Sequence, residues 1–190
     1  LSQADMLRTN QAFLNYFEGL YNNHKNDVVL KHFSRDENIL IQDQPLSKLR
    51  LIKEGIVKCY FTEENAKEYI VEFLGNGEIL GEVELIKNIH CLCGVKAVSD
   101  VTVYETNIAF FKSLVKNDLL FNHLLLDSFA ERIINTSSRA SYQQLYTVER
   151  SLTQLLNMQA SQEIQMSKED MAAYLGITVR SLNRILKDMK

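Results

Sequence analysis

The spacing of apolar residues along this chain of 190 residues changes from region to region, and each change predicts a new kind of element. From about Asp5 to Asn22, the positions Phe13, Leu14, Phe17 and Leu20 lie on one side of a predicted helix. From Val28 to Ile108 the chain breaks into short segments rich in Val, Ile, Leu, Tyr and Phe. These are Val28–Phe33, Asn38–Ile41, Lys48–Lys53, Ile56–Phe61, Tyr69–Phe73, Cys93–Val98 and Thr102–Asn107. Gly55, Gly75, Gly77, Gly81 and Gly94, with local Asn, Asp and Ser, separate them, and strands at this interval predict a sandwich or jelly-roll barrel. After Phe111 no glycine occurs until Gly176. That stretch predicts a short helix over Ser113–Asn117, a long one over Leu119–Tyr146, and a third over Val148–Ala160 that buries Leu152, Leu155 and Leu156.

Within the long helix, Leu126, Phe129, Ile133, Thr136 and Ala140 alternate at three and four residues, the spacing of a coiled-coil seam. A seam of this kind predicts a homodimer. The other reading is that it lies wholly against its own barrel, since Thr136 and Ala140 are weak apolar positions.

The chain's last segment has the clearest local grammar. Ser167, followed three residues on by Asp170, predicts a capping box that opens a helix over about Lys168–Tyr174. Leu175-Gly176-Ile177 predicts a tight turn in which Gly176 takes a positive φ. Thr178 then caps a second helix whose Leu182, Ile185, Leu186 and Met189 form one buried stripe, while Val179, Arg180, Asn183, Arg184 and Lys187 line the other side. Two helices arranged in this way form a helix-turn-helix. At the start of its second helix, arginine pairs with guanine and asparagine with adenine, which selects Arg180, Asn183 and Arg184 as base readers. Ser181, with Thr178 and Lys187, suits phosphate, which sets register without reading sequence. The competing reading is a short solvated helical hairpin. Small Ala172 and Ala173 against the glycine turn, two caps and a basic outer face favour DNA.

Composition narrows the field further. The formal net charge of −3 suits a nucleic-acid binder poorly until it is divided by region. Residues 1–110 hold 11 Lys and Arg against 16 Asp and Glu, residues 111–190 hold 10 against 8, and Met171–Lys190 has four cations to one anion. Neither a run of eighteen apolar residues nor a secretory segment is visible, so no membrane role is expected. Cys59, Cys91 and Cys93 make an odd count that argues against a disulfide framework and for a reducing cytoplasm.

A jelly roll, a long helix and a helix-turn-helix in that order resemble the catabolite activator and fumarate-nitrate regulator (Crp/Fnr) superfamily of bacterial transcription factors. Leu80-Gly81-Glu82-Val83-Glu84-Leu85-Ile86 is similar to the opening of that family's phosphate-binding cassette. Gly55 in Lys53-Glu54-Gly55-Ile56-Val57-Lys58 matches its early strand-turn glycine, and Tyr174 to Leu186 resembles its helix-turn-helix. The resemblance covers essentially the whole chain and implies an α+β fold. A cyclic-nucleotide-binding-like jelly roll with an N-terminal helix would occupy residues 1–118, a dimerisation helix 119–146, and a DNA-binding domain of winged-helix type 147–190. Family members continue into a β-hairpin wing beyond the point where this chain stops, and the chain starts at Leu1 rather than Met, so it reads as incomplete at both ends.

Departures from the family pattern carry the functional detail and suggest a divergent branch. In cyclic-AMP-binding members an arginine followed by Ser or Thr neutralises the cyclic phosphate, and the spacing from Gly81 and Glu82 puts those positions at Leu92 and Cys93. Neither can neutralise a phosphate, and Glu84 adds negative charge where the family often has a small residue, so cyclic AMP control is not expected. Gly81, Glu82, Glu84, Leu92 and Cys93 are still the candidate ligand pocket, with Lys96 nearby as a substitute cation of uncertain direction. The family's R-E-x-x-x-R recognition pattern falls on Val179, Arg180 and Arg184, and only the last matches, which implies a different operator read as an inverted repeat. Cys91-x-Cys93, read as lying on one strand, could ligate metal or oxidise, but structural roles are expected for these cysteines and for His24, His32, His90 and His123.

The reading is a dimeric, cytoplasmic DNA-binding regulator without cofactor, metal or catalytic residues. RNA polymerase and an unknown small-molecule effector are partners it allows. Its rivals are a ligand-binding module acting through protein contacts and a cupin-type enzyme. The latter would need a metal cluster, and the histidines lack the H-x-H spacing for one.

Overall fold

The computed structural model describes residues 6–64 and 67–189, leaving aside the side chains of Gln143 and Gln144. Leu7–Arg8 form a two-residue strand, β1. The first helix, α1, covers Gln11–Asn23, with Asn10 accepting the Phe13 amide at 2.9 Å. The helix expected from about Asp5 therefore starts later: Asp5 lies outside the described residues, and Leu7–Arg8 instead pair in parallel with Phe73–Leu74. Seven further strands fall close to the expected segments or between them: β2 Val28–Phe33, β3 Asn38–Leu40, β4 Lys48–Glu54, β5 Val57–Thr62, β6 Glu68–Leu74, β7 Ile79–Leu80 and β8 Gly94–Ala97. A ninth, β9, runs over Val101–Asn107. A short helix, α2, fills Glu82–Lys87 between β7 and β8. The remaining helices are α3 Ile108–Asn117, α4 Leu119–Leu145, α5 Val148–Ser161, α6 Lys168–Leu175 and α7 Val179–Asp188.

Strands β2 to β9 wind as a jelly roll. One sheet has the order β2-β9-β4-β7, and the other β3-β8-β5-β6 with β1 added at its edge. Alternation along each strand creates two apolar faces per sheet, and each is covered. Between the sheets lie Ile52, Val57, Cys59, Leu74, Val95, Ala97 and Val103. The outer face of the four-stranded sheet presents Val28, Leu49, Leu51, Ile79 and Tyr104 to Phe13 and Phe17 of α1, Phe111 of α3 and Phe121 and Leu125 of α4. Ile56, Tyr60, Ile70, Phe73 and Val98, on the outside of the other sheet, pack with Leu152, Leu155, Met171, Tyr174 and Leu182 of the C-terminal helices. The C-terminal helices are thus docked on the barrel and not merely tethered to it.

The long helix α4 has two stripes. Phe121, Leu125 and Ser128 are buried against the chain's own barrel side, and Arg132, Asn135 and Arg139 continue that stripe half-buried. Of the expected seam, Leu126 and Ile133 are each 67 % exposed, Thr136 and Ala140 are exposed, and Phe129 is half-buried against the helical core. The seam is therefore not consumed by the chain's own barrel.

Candidate nucleic-acid interface and sensor site

The helix pair α6–α7 is built as its sequence grammar requires. Ser167 Oγ accepts the Asp170 amide at 3.0 Å, and Gly176 adopts φ 68° while its amide returns to Ala172 O. Thr178 Oγ1 accepts the Ser181 amide at 3.1 Å and opens α7 three residues after α6 ends. Leu182 is fully buried, with Ile185 and Leu186 half-buried beside it, whereas Met189, expected in the same stripe, is 44 % exposed. Arg180, Asn183, Arg184 and Lys187 are exposed together, as one-sided helical spacing dictates. Thr178 and Ser181 join hydroxyls at 3.0 Å at the helix start, and Asn183 Oδ1 accepts Lys168 Nζ at 2.7 Å. Val179 departs from this company: it is half-buried and packs on the apolar cluster beneath.

Only half of the expected capping box forms in this way, because the Asp170 carboxylate turns to Lys58 of β5. Lys58 is 7 % exposed and also reaches Glu68 at 3.3 Å. Burial alone would lower its pKa, but Asp170 and Glu68 outweigh burial and hold it above the usual lysine value. Arg139 of α4 makes a second tie, donating from Nη2 to Ile70 O at 2.8 Å and to Tyr174 O at 2.9 Å. Neither tie was visible in the sequence, since each joins positions more than thirty residues apart with no local pattern.

In the barrel, Gly81 brings the chain into α2 at φ 92°, a conformation that favours glycine, with the Leu46 Cδ2 methyl close against it. Of the candidate pocket residues, Glu82 is 2 % exposed and ion-paired with Arg132 of α4. Glu84 is buried and accepts the Leu92 amide at 3.0 Å. Leu92 is 52 % exposed, and Cys93 is half-buried beside Cys59. A cation that the sequence pattern did not place here is Arg132, which stands at Glu82 and reaches Glu72 at 3.8 Å. Arg8 joins Glu72 at 2.8 Å to Glu78 at 2.6 Å, completing a chain of two guanidiniums and three carboxylates. Burial raises the pKa of Glu82 and Glu78, while Arg132 and Arg8 respectively oppose the rise.

Two further expectations change here. Cys91 and Cys93 precede β8 rather than share it, because the backbone of Cys91 pairs with Gln44 and Asp43 in the loop before β4. The adjoining Cys93 thiol, then burial, raise the Cys59 pKa well above the ordinary value, and burial raises that of Cys91, so both favour the protonated, weakly nucleophilic form. Lys96 points away from Glu82. Its neighbours Val95 and Ala97 face the barrel core, and its ammonium lies 5.8 Å from the Tyr60 ring on the outer side. Among the described residues no group of three or more His, Cys, Asp and Glu could hold a metal ion, and no helix is long and apolar enough to cross a membrane.

Residues 30–118, which hold most of the jelly roll and its glycine-led α2, match the cyclic nucleotide-binding domain family. The matching region lies within a longer fold that solved transcription regulators share. Its sequence is 24 % identical over 161 residues to regulatory protein YeiL of Escherichia coli O157:H7, spanning 84 % of this chain and 74 % of YeiL. The c-di-GMP responsive global regulator CLP of Xanthomonas campestris superposes with a TM-score of 0.77 at 16 % identity, covering 90 % of this chain and 91 % of CLP. A protein from Eubacterium rectale assigned to the Crp/Fnr family of transcriptional regulators gives 0.76 at 16 % identity, covering 91 % and 86 %.

Proposed function

We propose that the protein is a homodimeric transcription regulator that binds a two-fold DNA operator and does not respond to cyclic AMP. The observation that carries this reading is α7: one side is locked to the apolar core through Leu182, while Arg180, Asn183, Arg184 and Lys187 project from the other. On this reading Arg180, Asn183 and Arg184 contact base edges, and Thr178, Ser181 and Lys187 contact phosphate. Val179, half-buried, sets the height of the helix rather than reading a base. Residues 1–118 sense or scaffold, 119–146 join the subunits, and 147–190 read DNA in the cytoplasm. RNA polymerase and a small-molecule effector are the further partners of this reading, and no catalysis is assigned.

Independence from cyclic AMP is supported by the surroundings of Glu82. Leu92 and Cys93 stand where the family's phosphate cation and its hydroxyl neighbour would be, and Arg132 is already ion-paired with both Glu82 and Glu72. A cyclic phosphate would have to compete with two carboxylates for that guanidinium.

Selection of sites from random duplex DNA tests the proposal. An inverted repeat is expected, with salt-sensitive binding that is unchanged by cyclic AMP and weakened by at least about tenfold in Arg180→Ala/Arg184→Ala. Binding indifferent to the double substitution would sink the regulator reading and favour a protein-docking module. Tightening by cyclic AMP would sink the second clause alone.

A further inference from the structure

We propose that the cleft where the barrel, α4 and the C-terminal helices meet is a binding site for a small aromatic carboxylate. The cleft is open on one side and offers about 810 Å³, within the range of small-molecule sites. It adjoins the Glu82–Arg132 pair through Glu72 and takes its walls from β6, from the distal half of α4, where Thr136 and Ala140 also belong to the seam, and from α5 and α6. Two polar atoms on its lining are buried with no hydrogen-bond partner among the described residues, Nη1 of Arg139 and Oη of Tyr142. These residues are three apart on α4 and so share one face. A buried guanidinium N–H and a buried phenol left unmatched are costly unless something supplies an acceptor.

The charge of the lining selects the ligand. Among the described residues Glu72 is its single carboxylate, and it is already held by Arg8 and Arg132. Among the described residues no carboxylate pairs with Arg139 or Arg150, which leaves the cleft short of negative charge. A carboxylate offers one oxygen to the Arg139 N–H and the other to the Tyr142 hydroxyl. Beside the Arg139 N–H the second donor is a neutral hydroxyl, which suits the single charge of a carboxylate; Arg139 and Arg150 each lie over a tyrosine ring, at 4.0 Å from Tyr174 and 4.3 Å from Tyr146. Tyr69, Tyr142, Tyr146 and Tyr174 all line the cleft, the rings of Tyr142 and Tyr146 stacking on each other at 4.2 Å, and so aromatic a lining suits a planar ligand body.

The same Arg139 bonds the carbonyls of Ile70 in the barrel and Tyr174 in α6 through its other nitrogen. A ligand seated on Nη1 would therefore act on the residue that joins the two parts. That effector role rests on the regulator reading; binding itself does not.

Calorimetric titration of the full chain with benzoate and phenylacetate, beside inorganic phosphate and cyclic AMP, tests the site. One saturable site per chain is expected for at least one carboxylate, weakened about fivefold in Tyr142→Phe and at least about tenfold in Arg139→Lys, with the circular dichroism of Tyr142→Phe unchanged. The proposal is overturned if neither carboxylate saturates or if Tyr142→Phe binds as tightly as the parent. It is equally overturned if phosphate or cyclic AMP, and neither carboxylate, shows the dependence on both residues. Carboxylate binding in a chain that binds no DNA would keep the site and remove the regulator reading. DNA binding without any carboxylate site would do the reverse.

Discussion

Arg132 occupies a position where a helix facing an apolar barrel would ordinarily place a leucine. Its guanidinium answers Glu82 and Glu72, and Glu82 is almost fully buried, so removing the cation leaves a carboxylate without compensation. Arg132→Ala is expected to cost about 3 kcal/mol in urea unfolding, and adding Glu82→Gln to recover at least about 1 kcal/mol of it. No recovery in the double variant would show that Arg132 acts through its stem rather than its charge. Asp118 caps α4 with a carboxylate that accepts the Phe121 amide at 2.9 Å and the Tyr16 hydroxyl at 2.8 Å. The amide first, and the hydroxyl after it, hold its pKa below the usual aspartate value. Because the folded pKa is the lower one, this contribution is full above about pH 4 and is lost as pH falls through the folded value. Asp118→Asn keeps a capping acceptor, so unfolding measured between about pH 3 and 7 should show a shallower acid limb with little change at neutrality. At this scale Glu82 and Gly81 were legible because a local cassette surrounds them. Arg132 was not, since the sequence shows a charged residue on a helix but not which face meets the barrel.

Among the elements, α4 presents the most consequential surface. Leu126 and Ile133 project from it, each 67 % exposed, one step around the helix from the stripe that covers the barrel. Exposed leucine and isoleucine at this spacing favour a second copy. Leu126→Asp/Ile133→Asp should convert a dimer to a monomer at micromolar concentration in sedimentation equilibrium, with the helical signal of the chain largely kept. A dimer that survives the pair would place the interface elsewhere. Most of the longer periodic elements were legible, although α3, expected only from Ser113, begins five residues earlier at Ile108 under the Asn107 cap. Val28–Phe33 was found whole, and α4 and α5 to within a residue, because long periodic runs leave little choice. Strands β1 and β7 were missed, since two residues carry no period and exist only because β6 and β4 pair with them. The start of α1 moved for the same reason: β6 draws Leu7–Arg8 into a sheet, and Asn10 then supplies the cap.

For the whole molecule, the decisive arrangement is the docking of the C-terminal helices on the outer face of the β6-containing sheet. Ile70 and Phe73 bury against Tyr174 and Met171 there, with Lys58–Asp170 at the margin. Asp170→Asn should raise amide exchange several-fold across α6 and α7, read by mass spectrometry, while the barrel core stays protected. Equal acceleration throughout the barrel would mean general destabilisation instead of a released contact. The sequence by itself determined the jelly roll, the long helix and the capped pair at the C-terminus, because periodicity, caps and turn glycines act within a few residues of one another. Only the tertiary structure decided which charges meet, with Arg132 at Glu82, Asp170 at Lys58, and Arg139 between Ile70 and Tyr174. These contacts join residues 35 to 112 positions apart, and a buried ion pair leaves no local pattern, since its energy depends on desolvation that exists only after the layers have packed.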